Sequence, residues 1–278
     1  VEDFGIMGAR PSHPQLLDWL AIEFIESKWN YRHMAKQMVT SATYRQSAHV
    51  SPEKLEADPM NRLLARAPRF RLEAEPLRDS VLHTSQLLVP QVGGPSVRPY
   101  QPEGIWEAVA MDQSNTRFYK QDSGESLHRR SMYTIWKRTA PHPAMEILNA
   151  PSREVFCVRR ERTNTPLQAF VTMNDPQFVE GYRQLAARTM QSAAQPEERL
   201  QFLAGLILSR SLSKEEITTL QETVTLAIDH YSKVPSEATK LITIGESRAD
   251  AKLPADHAVS VTPSTAANLL LSAAEIGR

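Results

Sequence analysis

Two groups of side chains in this 278-residue chain have types and spacings that could do chemistry. The first is basic. Between Arg129 and Arg162 stand seven arginines and one lysine against three glutamates. A guanidinium keeps its charge at any biological pH and presents a fixed fork of donors. Arginines at this density therefore need carboxylate partners or an anionic ligand such as a sulfate, phosphate or carboxylate. Arg129, Arg130, Arg153, Arg159, Arg160 and Arg162 are the candidate ligands. The last of them runs into Thr163-Asn164-Thr165 at a helix start, where free backbone N–H groups also favour anions, so Asn164 joins the set. The alternative is a structural network in which these arginines hold Glu73, Glu75, Asp79 and Glu154.

The second group is acidic. Glu75, Asp79 and His83 recur at i, i+4 and i+8, so one helix face would present all three. Two carboxylates and an imidazole can do acid–base work or help to hold a cation. The outer two would lie about 12 Å apart along a straight helix, so they do not converge on one ion and no metal is assigned. Glu73, Glu75 and Asp79 are the catalytic candidates. Salt bridging of Glu75 and Asp79 to nearby arginines is the competing role. Among the aromatics, Tyr100, Trp106 and Trp136 are the candidates for the kind of surface that sugars stack on, although aromatics at this density also suit a core. His13 and His128 belong to no catalytic grouping, and Gly93-Gly94-Pro95-Ser96 lacks the GxxxxGK[ST] pattern of a phosphate loop.

Composition limits the partners. Lys+Arg and Asp+Glu are both 32, so no global charge draws the chain to nucleic acid, and the excess between Arg129 and Arg162 is a local patch. Cys157 is the only cysteine. It allows neither an intrachain disulfide nor a CxxCH haem attachment, and it is expected as a small buried hydrophobe. No cofactor is expected in this chain. No apolar run approaches the roughly 20 residues of a membrane helix. The start, VEDFGIMGARPSHP, has neither a start methionine nor a signal peptide, and reads as a cut inside a longer protein.

The elements that must position these groups are mainly helical, within one domain over 1–278: helical over 1–89, irregular and Arg-rich over 90–163, and helical over 164–278. Ser12 and Gln15 have capping-box spacing ahead of an apolar stripe through Ile25. Tyr31, Met34, Ala35, Met38, Val39 and Ala42 make a second stripe. Asp58-Pro59 is expected to open a short helix through Leu64, and Leu72 to Leu88 a long one, with Pro76 as its first turn or an early break. Pro90–Gly104 holds four prolines and three glycines and reads as a loop. Alternation over Ser131–Trp136 suggests a strand, paired with Thr116–Lys120 as a small hairpin. Thr165 with Gln168, and Ser213 with Glu216, are capping boxes. Further helices are expected from Asp175-Pro176 and near 196–209, 214–231, 236–246 and 263–275.

Several ordered blocks carry a family resemblance: Gly8–Ala21, Val39–Ser47, Asp58–Arg66, Arg71–Asp79, Gly93–Trp106, Arg129–Pro143 and Pro151–Phe170. Together they resemble the planctomycete-specific domain of unknown function found at the C-terminal end of planctomycete cytochrome c-like proteins. The resemblance covers about 1–190, and Pro76 stands where the family usually has an aliphatic residue. It implies haem c in an upstream domain, upstream domains of the same polypeptide as partners, and a place in the cell envelope or outside the cell. No catalytic residue transfers with it. The expected role is a non-catalytic or accessory module that docks a partner domain or binds an anionic glycan, sulfated glycans included. Two alternatives stay open: an enzyme acting on a polysaccharide or sulfate ester through a carboxylate facing the arginines, and a structural scaffold for the haem domain.

Overall fold

The computed structural model describes Asp3 and residues 5–248. The expected helix over 263–275 lies outside the described residues. The chain divides into two compact units, one through Phe70 and one from Arg71.

The first unit contains α1 (Pro14–Glu26), α2 (Tyr31–Thr40) and α3 (Pro52–Ala57). Helices α1 and α2 pack as a pair. Glu23 Oε1 ties them together, accepting from His33 Nε2 at 2.7 Å and from Gln37 Nε2 at 3.1 Å. Asn30 caps α2 by accepting from the His33 N–H. Two expectations fail locally. The N-cap of α1 is His13 and not Ser12, whose hydroxyl turns to His13 Nδ1 instead. Pro14 then takes the first helical turn, where its missing N–H costs nothing. No helix follows Asp58-Pro59, because the Asp58 carboxylate accepts the N–H groups of Arg62 and Leu63, each at 2.8 Å, and holds a turn.

The second unit is built on α8 (Pro176–Ser192), which packs against α4 (Ala74–Thr84), α7 (Pro166–Asn174), α9 (Pro196–Leu208) and α11 (Pro235–Ile242). Helix α10 (Lys214–Lys233) lies on α9, and the short α6 (Pro143–Ile147) on α7. Leu77, Val81, Phe178, Tyr182, Leu185 and Leu203 are central to the core. Buried residues fall on every side of α8, which is the pattern of a helix enclosed by its neighbours. Gly181 makes the α4–α8 approach possible: a Cβ there would lie 2.5 Å from Val81 Cγ1. The capping boxes at Thr165/Gln168 and Ser213/Glu216 form as expected.

Between α4 and α6 the chain is irregular apart from α5 (Ile105–Val109) and 3₁₀ turns at Gly124–His128 and Ser131–Tyr133. The expected hairpin is absent. Ser131–Tyr133 turns, and Thr134 forms an isolated parallel bridge with Val97, while Val89 bridges Arg129. The alternation that suggested a strand arises because Ser131 and Thr134 turn inward and Met132 outward. The mainly helical fold class stands.

Candidate functional site

Helix α4 sorts its side chains by face. Ala74, Leu77, Arg78, Val81 and Leu82 point inward. Glu75, Asp79 and His83 line one groove of about 650 Å³, as their spacing requires. Arg130, Met132 and Ile207 are among the residues that complete it.

Neither carboxylate is idle. Asp79 Oδ1 accepts from the Ser131 N–H at 2.8 Å and from the Ser131 hydroxyl at 2.6 Å, with Arg130 Nε 3.6 Å from Oδ2 and Arg78 Nη1 3.7 Å from Oδ1. Glu75 takes Arg160 Nη1 at 2.5 Å, and Glu73 shares the same nitrogen at 3.0 Å, with Arg162 Nη2 3.9 Å away. A carboxylate whose oxygens already accept charged or backbone donors has little capacity left for a substrate proton.

The arginines are dispersed. Arg129 is buried and staples the Pro-rich loop, donating to the carbonyls of Pro95, Gln91 and Gly93 at 3.0, 3.2 and 2.5 Å while its guanidinium lies 3.9 Å from the Tyr133 ring centroid. It is therefore not available to an external anion. Arg130 leans on Asp79, and Arg160 and Arg162 on the α4 start. Arg153 stacks over Trp136 at 4.8 Å. Arg159 is exposed and, among the described residues, has no carboxylate within ion-pair distance. Asn164 is exposed beside the cap of α7.

The aromatic expectation is corrected for two of its three members. Tyr100 and Trp106 are buried, Trp106 edge-on to Tyr119 with Lys137 Nζ 4.7 Å from its ring centroid. Only Trp136 is partly open, its indole N–H donating to the Ser152 carbonyl. Cys157 is also corrected: it is exposed, on a segment where Phe156 is 87% exposed. His13 is half-buried, and His128 is buried against Glu180 at 3.1 Å.

The polar groups that organise the second unit escaped sequence reasoning. Arg78, only 2% exposed, donates to the carbonyls of Leu127 and Arg129, each at 2.8 Å, to the Ser131 hydroxyl, and through Nε to Gln177 Oε1. Burial pushes its pKa down to about 10, against the pull of Asp79 and Asp175. Glu180 is 0% exposed. Burial would raise its carboxyl, but hydrogen bonds from His128 and Ser247 outweigh that and hold it at about 2. For Arg78 the available signal was a charge on an apolar stripe, four positions from both Ala74 and Leu82; Glu180, between Val179 and Gly181, carried no such signal.

Among the described residues no group of three or more His, Cys, Asp or Glu side chains is placed to hold a metal ion, and no helix is long and apolar enough to cross a membrane. Neither a curated protein nor a solved structure matches the chain. The profile of the family described as "PSD1: Protein of unknown function (DUF1553)" matches residues 1–224. The chain therefore belongs to that family of unknown function.

Proposed function

We propose that this chain is a non-catalytic docking module of a larger exported, cytochrome c-like polypeptide, and that the α1–α2 pair receives a neighbouring domain of that polypeptide. One observation carries the reading. Helix α1 is rich in apolar side chains, yet none of its residues is buried, and Leu17, Trp19, Ile22 and Ile25 are 50 to 58% exposed. Trp29, Tyr31, Met38 and Val39 extend the apolar exposure along the pair. Monomers rarely expose apolar patches beyond a few hundred Å², and such patches mark interaction sites. Trp and Tyr are also the residues that dominate binding hot spots. The resemblance to domains that end cytochrome c-like proteins supplies the occupant, an upstream haem-bearing domain, and with it a place in the cell envelope.

A second reading rests on Arg153 and Arg159, whose charges are solvent-facing: an anionic glycan would lie along 151–162 beside Trp136. The enzymatic alternative is the least supported, because each candidate carboxylate is already engaged.

The test is isothermal titration of this chain with the separately produced upstream domain. Trp19→Glu and Ile22→Glu are expected to weaken binding at least ~10-fold while leaving the melting temperature within ~2 °C, since both side chains are exposed. Unchanged affinity in both variants refutes the docking face. A salt-sensitive thermal shift with sulfated glycan, lost in Arg159→Ala, favours the second reading.

A further inference from the structure

Residues Gly245–Arg248 form no regular element and lie beyond the span matched by the family profile, yet seven hydrogen bonds hold them. The Glu246 N–H donates to the Tyr100 hydroxyl at 2.8 Å, and the Ser247 N–H to Glu180 Oε1 at 2.6 Å. Arg183 Nη2 donates to the Ser247 carbonyl and hydroxyl at 2.5 and 2.6 Å, and Gln184 Nε2 to the same hydroxyl and to the Arg248 carbonyl at 2.9 and 3.0 Å. The Glu246 carboxylate accepts the Gly124 N–H at 2.8 Å. Groups of the fold thus meet three consecutive residues, Glu246 and Ser247 at backbone and side chain and Arg248 at its carbonyl, which is how receptors hold extended peptides.

The reading is sequence-selective. Gly245 sits at φ +88°, and a Cβ there would run into the Glu180 carboxyl group, so only glycine fits. An acidic side chain follows, facing the Gly124 N–H. A hydroxyl comes next, between Arg183 and Gln184. Part of the receptor side is held by groups outside the strap. Glu180 keeps its other oxygen on His128 Nε2, it belongs to the middle of α8, and Tyr100 is buried with its carbonyl bonded by His142 Nε2 at 2.7 Å.

We propose that Glu180, Arg183, Gln184, Tyr100 and the Gly124 N–H form a peptide-recognition cleft, that Gly245–Arg248 occupies it in cis, and that a partner protein's extended Gly–acidic–Ser segment is its ligand in trans. The strap is then an autoinhibitory contact. The cleft opens to a partner when the strap leaves, and the strap's local concentration sets how strongly a partner must compete.

The full-length chain tests this with a fluorescein-labelled peptide of sequence TIGESR (Thr243–Arg248) and fluorescence anisotropy. Gly245→Ala in the protein should expel its own strap, seen as faster amide exchange at Glu246 and Ser247, and open the cleft. The variant should then bind the peptide at least ~10-fold more tightly than the unaltered chain, and a peptide carrying alanine in place of its glycine should bind neither. Three results would each overturn the proposal: amides that stay protected in the variant, equal peptide binding by variant and unaltered chain, or equal binding of the glycine and alanine peptides. A variant with exposed amides, retained helical circular dichroism and no peptide binding would also sink it, since the strap would then be mere packing.

Discussion

Replacing Arg78 probes the centre of the second unit. Its guanidinium satisfies two backbone carbonyls, Leu127 and Arg129, the side-chain oxygen of Gln177, and the Ser131 hydroxyl. Arg78→Met keeps the volume and removes the buried charge, a change that is neutral in some proteins when the partners are replaced as well. Here the two carbonyls belong to the backbone and cannot be replaced. Each buried acceptor left unpaired costs roughly 1–3 kcal/mol. Two carbonyls and one amide oxygen therefore sum to about 3–9 kcal/mol, with part recovered if water enters. Against a total stability of about 5–15 kcal/mol, the variant should unfold at much lower urea. Arg78→Lys keeps the charge, but one ammonium cannot serve Gln177 and the 127–129 carbonyls together, so an intermediate loss of about 2–3 kcal/mol is expected. Urea titration followed by tryptophan fluorescence measures both. A loss below about 1 kcal/mol for Arg78→Met would show that the 127–131 segment is held by something else.

Two groups, the buried His142 and the half-buried Asp175, should give opposite pH slopes. Burial lowers His142 to about 4, against the hydrogen bond to the Tyr100 carbonyl, while burial raises Asp175 to about 6, against the Gln177 N–H and Arg78. Between pH 4 and 6.5 the unfolded chain takes more protons than the fold at His142, so that group lowers stability as pH falls. Between about 3.8 and 6 the fold holds a proton at Asp175 that the unfolded chain has lost, so that group raises stability as pH falls. Each effect is at most about 3 kcal/mol. Asp175→Asn should steepen the acid loss and His142→Gln should flatten or reverse it, and parallel urea midpoints at pH 7, 5 and 4 for the two variants would contradict both assignments. Gly181→Ala gains helix propensity of about 1 kcal/mol but drives a methyl into Val81. We expect a net loss of about 1–3 kcal/mol, smaller in the double variant with Val81→Ala, and a thermal-melt cycle without such coupling would deny the close approach. Arg160→Ala removes partly exposed pairs with Glu73 and Glu75 and should cost under about 1 kcal/mol; a larger loss in urea would mean that the pairs anchor the α4 start.

What the sequence displayed clearly was local. Thr165 and Gln168, or Ser213 and Glu216, lie three residues apart, and their bonds close within one turn. The face of Glu75, Asp79 and His83 follows from helix geometry alone, and these residues do share a groove. Contacts of long range were hidden. Arg78 meets residues 49, 51 and 99 positions away, and Glu180 meets His128 and Ser247 at separations of 52 and 67. Periodicity says nothing about such pairings. It also misled over 131–136, where inward and outward alternation comes from a 3₁₀ turn and one bridge. The aromatics misled for a related reason: an aromatic beside prolines and glycines suits a sugar platform and a loop's internal anchor equally, and Tyr100 and Trp106 took the second role.

Two of the arginines, Arg78 and Arg129, find their explanation in the irregular middle of the chain. With no sheet to pair them, several carbonyls of 91–129 find their donors in side chains. Arg129 supplies three of them and Arg78 two more, His142 takes the Tyr100 carbonyl, and the Tyr119 hydroxyl takes that of Pro99. In the other direction, the Gly93 N–H is received by the Tyr133 hydroxyl. Side chains with several donors do here what a β-ladder does elsewhere, and a planar guanidinium suits the task because its donors fan out in fixed directions. Arg129→Lys should then free the loop: one ammonium can still approach one or two carbonyls, but it loses the stack on Tyr133. Amide exchange at Gly93 should accelerate by about 10-fold or more, which corresponds to about 1.4 kcal/mol of lost local protection. Arg159→Ala should leave that exchange unchanged, because its side chain is exposed. Equal protection in both variants would return Arg129 to the pool of charges open to a ligand.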